Sequence, residues 1–221
     1  MGTGRYEGRA VVELLDDGRL VRLRQPIAYI DPHEVRWDVP KGAEVDGASI
    51  PRVLWTFIGG PFEGKYRKAS IIHDWYCDIR SRPWRQVHRM FFDAMIASSV
   101  PMALAKPMYA GVYFGGPRWS ETVVHNVEIR KPLARPSGPL RRGGPKHARW
   151  VFERGYLLSR ERVADTWLTK YRIEDSDLNW LTGQMHGRHI GLDSIDHAVD
   201  ERLKERSPDR NLIRRSVRER E

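Results

Sequence analysis

A single cysteine, Cys77, in 221 residues excludes an internal disulfide, so no covalent staple supports the fold. Stability has to come from packing. Cys77 lies in a stretch of helical spacing with no second cysteine for a redox or metal pair, and reads as a small packing residue, although His73 is one turn away. Long apolar runs are also missing, and nothing approaches the roughly 20 residues that cross a bilayer, so no transmembrane segment is expected. The segment Met1 to Arg9 has no apolar core of the secretory kind, and Tyr6 stands where a myristoylation signal carries Ser or Thr. Without a secretion signal, the chain is expected to stay in the cytoplasm or to travel with a particle or partner. Acids are absent from Arg130 to Arg149, a stretch with seven basic residues that accounts for seven of the net charge of +9. The excess is local, and it would draw nucleic acid, anionic lipid or an acidic protein surface, or else keep a linker solvated.

What is present suggests an α+β fold. Aliphatic and β-branched residues flank Asp16-Asp17-Gly18 as in a tight hairpin, with strands over 9–15 and 19–24. Further strands are expected at 27–30 and 34–39, broken by Asp31-Pro32, with Val35, Trp37 and Val39 alternating against polar neighbours. Helices follow at about 51–57, 66–79, 84–98 and 101–113, the last carrying Pro107, which threatens to kink or split it. The short turn Ser81-Arg82-Pro83 makes the second and third of these antiparallel and in contact. Four prolines and three glycines between Pro132 and Pro145 read as a linker. Beyond it, helices are expected at 159–171, 176–185 and 193–206. The predicted organisation is therefore a core domain at 1–131 with a small antiparallel N-terminal sheet, a helical hairpin and a third helix. A basic Pro/Gly linker at 132–148, a small helical C-terminal unit at 149–206 and a charged tail at 207–221 complete it.

The chemistry concentrates on His73-Asp74. On an ideal helix Ala69, Ile72, His73 and Tyr76 share an apolar face, so His73 points inward, while Asp74 is turned about 100° away. An inward histidine needs a hydrogen-bond partner, and the returning helix offers His88 and Asp93. A carboxylate there would fix the tautomer of His73 and raise its basicity, as a general base that activates water requires. Asp74 is placed to ligate a metal or brace the preceding loop. Asp46 is either a turn former or a second carboxylate, and Ser49, Gly59 and Gly60 offer backbone amides near the helix. The contrary reading is a satisfied core histidine beside a surface aspartate.

The ordered motifs Asp46-Gly47-Ala48-Ser49-Ile50-Pro51-Arg52, Ile58-Gly59-Gly60-Pro61-Phe62, Ala69-Ser70-Ile71-Ile72-His73-Asp74-Trp75 and Arg89-Met90-Phe91-Phe92-Asp93-Ala94-Met95 resemble the phage and prophage family catalogued as domain of unknown function 1353. The resemblance covers roughly residues 8 to 118. It implies a phage or prophage origin, in the host cytoplasm or the virion, and brings no established reaction. In that family's usual pattern the position of His88 carries an acid, so this chain must use Asp93 or a His–His arrangement instead. At the level of the site alone, His-Asp behind a glycine-rich loop with an acid on the next helix is similar to phospholipase A2. That similarity implies His73 as base, Asp93 as its partner, and Asp74 on calcium with the loop of Gly59 and Gly60. A weaker similarity links 69–74 to HD-domain metal phosphohydrolases, which need an earlier helical histidine, whereas His33 follows a strand break. Zinc instead of calcium would require His73 and His88 to converge with Asp93 or Asp74.

The expected function is a His/Asp hydrolase acting on lipid or another ester; the alternative is a non-catalytic, tail-associated virion component or host-interaction module. Partners would be phage structural proteins or anionic lipid, with nucleic acid a weaker expectation resting on residues 130–149.

Overall fold

The computed structural model describes residues 2–16, 20–46, 64–120, 122–132, 151–153, 156–185 and 190–216. Two three-stranded antiparallel sheets open the chain. Strands β1 (Arg5–Glu7), β4 (Ile27–Ile30) and β5 (Arg36–Val39) form the first in the order β1-β4-β5, and β2 (Val12–Leu14), β3 (Val21–Leu23) and β6 (Glu44–Val45) the second in the order β2-β3-β6. The hairpin expected around Asp16-Asp17-Gly18 is present, with Leu14 opposite Val21 and Val12 opposite Leu23. The break at Asp31 has a definite mechanism. Its Oδ1 accepts the N–H groups of His33 (2.8 Å) and Val35 (3.0 Å), and its Oδ2 accepts Trp37 Nε1 (3.1 Å). That turn leaves Val35 exposed just before β5, so the inward alternation begins only at Trp37 and Val39.

Among the described residues three helices follow: α1 (Arg67–Ile79), α2 (Trp84–Ala97) and α3 (Met102–Gly115). Helix α1 stops at Arg80, which adopts the left-handed conformation (φ 53°) and donates its N–H to the Tyr76 carbonyl. Pro83 caps α2, so the chain reverses within four residues and the two helices pack side by side. Helix α3 runs unbroken through Pro107. The ring removes one backbone N–H, but Ala105, Met108, Tyr109, Val112 and Tyr113 are fully buried, and this packing outweighs one lost hydrogen bond.

The chain divides into two compact units, one of residues 1–119 with 169–210, the other of 120–168 with 211–221. This differs from the expected boundaries at 131, 148 and 206. Helices α4 (Asp175–Met185) and α5 (Leu192–Leu203), expected in a separate C-terminal unit, belong to the first compact unit and pack on α3. Asp177 on α4 is fully buried and accepts from Arg202 (2.8 Å), Arg206 (2.6 Å) and the Glu174 N–H (3.0 Å). Helix α5 is bound to α2 by Arg89, whose guanidinium reaches Asp193 and Asp196, and to α3 by Tyr109, which donates to Asp196.

The segment expected as a helix over 159–171 is a strand instead, β10 (Tyr156–Lys170). It pairs antiparallel with β8 (Val123–Pro132), from Val123 opposite Asp165 to Pro132 opposite Tyr156, and with β9 (Val151–Glu153). Its β-branched and aromatic residues Val163, Thr166, Trp167 and Thr169 suit a strand, and the partner that stabilises it lies 24 to 42 residues earlier, beyond any local window. In the expected tail, residues Asp209–Ser216 form β11, where Arg214 makes a two-pronged ion pair with Asp165. Short strand β7 (Arg118–Trp119) follows α3. The helix expected at 51–57 and the linker at 133–148 lie outside the described residues. Among the described residues no helix is long and apolar enough to cross a membrane.

Candidate functional site

The buried face of α1 carries Ala69, Ile72, His73, Tyr76 and Cys77, and His73 and Cys77, four residues apart, stand one above the other on it. The antiparallel α2 brings His88 to the same place. His73 Nε2 lies 2.9 Å from His88 Nδ1, a hydrogen-bond distance, and 3.5 Å from Cys77 Sγ. All three residues are buried, and one donor atom from each falls within 4.8 Å of the other two. Aromatic rings close the surroundings: Phe91 against His73 at 4.8 Å between centroids, and Trp84 and Trp119 edge-on to His88.

Burial pushes the His73 imidazole down to about 3, because an imidazolium there would have lost its water. His88 is held well below the usual histidine range by burial first, then by His73 and the Arg118 guanidinium. Both rings are therefore neutral at neutral pH, which makes them weak bases and competent metal ligands. The Pro117 carbonyl favours a proton on His88, and since Nδ1 faces His73 the proton it favours is on Nε2. The contact falls short of hydrogen-bond geometry, so Nε2 is left buried without a partner. Gly116 makes this approach possible: a Cβ there would meet the Val112 carbonyl and sit 3.2 Å from the His88 ring.

The other described sequence candidates, Asp46, Asp74 and Asp93, lie apart from this cluster or brace its surroundings. Asp74 is buried, not turned to solvent, and its Oδ2 accepts the Asp46 N–H at 2.9 Å, so it braces the end of β6 where the chain leaves the sheet. Asp93 does not meet His73. It faces a cleft of about 670 Å³ together with Asp31, His33, Arg85, Arg89 and Asp196. Burial, reinforced by repulsion from Asp31 and opposed by His33 and Arg89, pushes its carboxyl up to about 6. Of the two arrangements open to this chain, the helices pack in the His–His one, and Asp93 points elsewhere. Ser49, Gly59 and Gly60 lie outside the described residues. Cys77 is the participant that sequence reasoning misses; its signal is the spacing of four from His73, which carries little weight without a second cysteine. The grouped donors are nitrogen and sulfur, which suit zinc and other thiophilic metals and not calcium.

A second cleft, of about 550 Å³, opens at the start of α1. Arg9, Lys65, Arg67 and Lys68 line it with the hydroxyl-bearing Ser98 and Ser99, and no acid is among its described lining residues. The first turn of α1 has no acidic residue and its N-cap, Tyr66, offers no side-chain hydrogen bond, so the positive end of the helix dipole adds to the four cations. Neither of these two clefts includes His73, Cys77 or His88 in its lining.

Residues 21–112 match the family described as "Protein of unknown function (DUF1353)". Two proteins of Sinorhizobium fredii are similar to the chain. "Uncharacterized protein y4jT" is 47% identical over 118 residues, 53% of this chain and 35% of that protein. "Uncharacterized protein y4iH" is 41% identical over 113 residues, 51% of this chain and 47% of that protein. The similarity thus spans less than half the length of either relative. No solved structure matches the chain.

Proposed function

We propose that this chain is a binding module that docks on an acidic phospholipid surface. The observation that carries the reading is the basic cleft, in which four cations and two hydroxyl-bearing serines converge with no acid among the described lining residues. Such a cleft suits a phosphate group. Val11 in the same lining is 38% exposed, so an apolar side chain accompanies the charge, which favours a lipid surface over nucleic acid. A cation near an anionic membrane contributes about 1 kcal/mol, and four acting together would raise partitioning by about three orders of magnitude over a neutral surface. The phage or prophage setting, and a place in the virion or at the host surface, belong to this proposal.

Vesicle co-sedimentation tests it. Binding to vesicles containing phosphatidylglycerol, weak binding to phosphatidylcholine, and an at least tenfold loss in the Lys65→Glu/Lys68→Glu variant are expected. Equal affinity for both vesicles, or salt-sensitive binding to nucleic acid with none to lipid, would refute it.

A His/Asp hydrolase acting on lipid or another ester is the second reading. It is supported by the hydrogen bond that joins Asp74, beside His73, to the Asp46 backbone. Against it stand the complete burial of His73 and the weak basicity that burial imposes. Fatty-acid release from vesicles that depends on His73, measured with calcium and with chelator, would restore this reading.

A further inference from the structure

We propose that His73, Cys77 and His88 form a binding site for a thiophilic d-block cation, with zinc as the reference metal, held between α1 and α2. The inference is independent of the lipid-docking reading, since no residue of the basic cleft takes part in it.

Distances carry the argument. Zinc takes nitrogen at about 2.05 Å and sulfur at about 2.3 Å, so a tetrahedral site sets its nitrogen and sulfur donors about 3.5–3.6 Å apart and two nitrogens about 3.3 Å apart. His73 Nε2 and Cys77 Sγ are 3.5 Å apart. The two histidine nitrogens stand at 2.9 Å, so a metal entering between them needs the rings to part by only about 0.4 Å. The widest separation in the group is within 4.8 Å. Two donors from one turn of α1 and one from the facing helix fix the site on rigid backbone instead of on loops.

The shortest contact within the cluster is the hydrogen bond between His73 Nε2 and His88 Nδ1, at 2.9 Å. With its Nε2 proton favoured by the Pro117 carbonyl, His88 turns the lone pair of Nδ1 toward the cluster, the orientation a ligand needs. Coordination moves the His73 proton from Nε2 to Nδ1 and displaces the thiol proton of Cys77; both imidazoles stay neutral, and one proton leaves per metal bound. Charge is the opposing factor, because Arg118 lies near His88 and disfavours added positive charge. The Cys77 thiolate cancels one charge of a dication and the whole charge of cuprous ion, and Arg118 is itself paired with Asp200 at 3.5 Å. Three protein donors are a set that zinc accepts with water in the fourth position.

The test uses the full chain. Metal analysis of purified protein, before and after loading with zinc or cuprous ion, should find about one equivalent of one of them. Cobalt substitution should give a thiolate-to-cobalt charge-transfer band and the visible spectrum of a tetrahedral ion. Cys77→Ser should abolish the charge-transfer band, and His88→Gln should lower zinc affinity by at least tenfold, with helix content by circular dichroism unchanged. If either variant fails to fold, the cobalt spectrum of the wild-type chain decides alone, since only a bound thiolate produces that band. Folded wild-type protein that takes up neither zinc, copper nor cobalt, or that gives the same cobalt spectrum after Cys77 is replaced, would overturn the proposal.

Discussion

Replacing His73 with alanine separates a structural histidine from a catalytic one by its cost and by how that cost varies with pH. The side chain is fully buried, lies 4.8 Å centroid to centroid from Phe91, and is bonded to His88 at 2.9 Å. Truncating a buried side chain of this size costs about 2–5 kcal/mol through lost contacts and the cavity left behind, and unpairing His88 Nδ1 adds about 1 kcal/mol, so a deficit near 4 kcal/mol is expected at pH 8. Acid should shrink it. The folded state keeps His73 neutral down to about 3, whereas the unfolded chain takes a proton near the usual 6.5. The wild type therefore has its full stability above the unfolded value and loses it as pH falls from there toward about 3. At pH 5 the loss through this residue is one and a half pH units at about 1.36 kcal/mol each, or about 2 kcal/mol. The variant has no such group to lose, so its deficit should fall from about 4 to about 2 kcal/mol. Asp93, held up at about 6, titrates with the opposite sign in both proteins and cancels in the comparison. Urea unfolding followed by tryptophan fluorescence at pH 8, 7, 6 and 5, with chelator present, measures both quantities. A deficit under about 1 kcal/mol at pH 8, or one that does not change between pH 8 and 5, would refute the reasoning.

Gly116→Ala should destabilise the chain by about 1–3 kcal/mol, because its Cβ would be driven onto the Val112 carbonyl and the His88 ring; an unchanged thermal midpoint would show that the end of α3 yields freely. Asp177→Ala should cost roughly 2–4 kcal/mol in urea unfolding by leaving Arg202 and Arg206 without their shared buried carboxylate. Burial alone pushes the Asp177 carboxyl up, but the Glu174 N–H and both guanidinium groups outweigh it and hold it below the usual range. Its contribution is therefore present above the unfolded carboxylate value and fades as pH falls through the folded one, so the deficit of Asp177→Ala should narrow only in strong acid.

Much of the first compact unit was legible because its signals are local. Asp16-Asp17-Gly18 between aliphatic runs suffices for the β2–β3 hairpin, and Pro83 and Pro101 start their helices where proline suits a first turn. Strand β10 was not legible in this way. Its β-branched and aromatic residues suit a strand, but no local pattern reveals a partner 24 to 42 residues distant, and that partner stabilises it. The placement of α4 and α5 was hidden for a related reason, since the acids of α5 declare nothing until Arg89 and Tyr109 of other helices meet Asp196.

The candidate site divides along the same line. Sequence by itself determined that His73 faces inward, because the apolar period of α1 admits no other orientation, and that a histidine or an acid of α2 would meet it, because the turn at Ser81 to Pro83 is too short for any arrangement but an antiparallel one. Which residue meets it was decided by tertiary structure alone. His88 and Asp93 are five positions apart and so about 140° apart around α2, and only one of them can point at α1. The rotation of α2 is set by burying Val87, Phe91, Ala94 and Met95 against its neighbours; it turns His88 toward His73 and Cys77 and leaves Asp93 in the cleft beside Asp31.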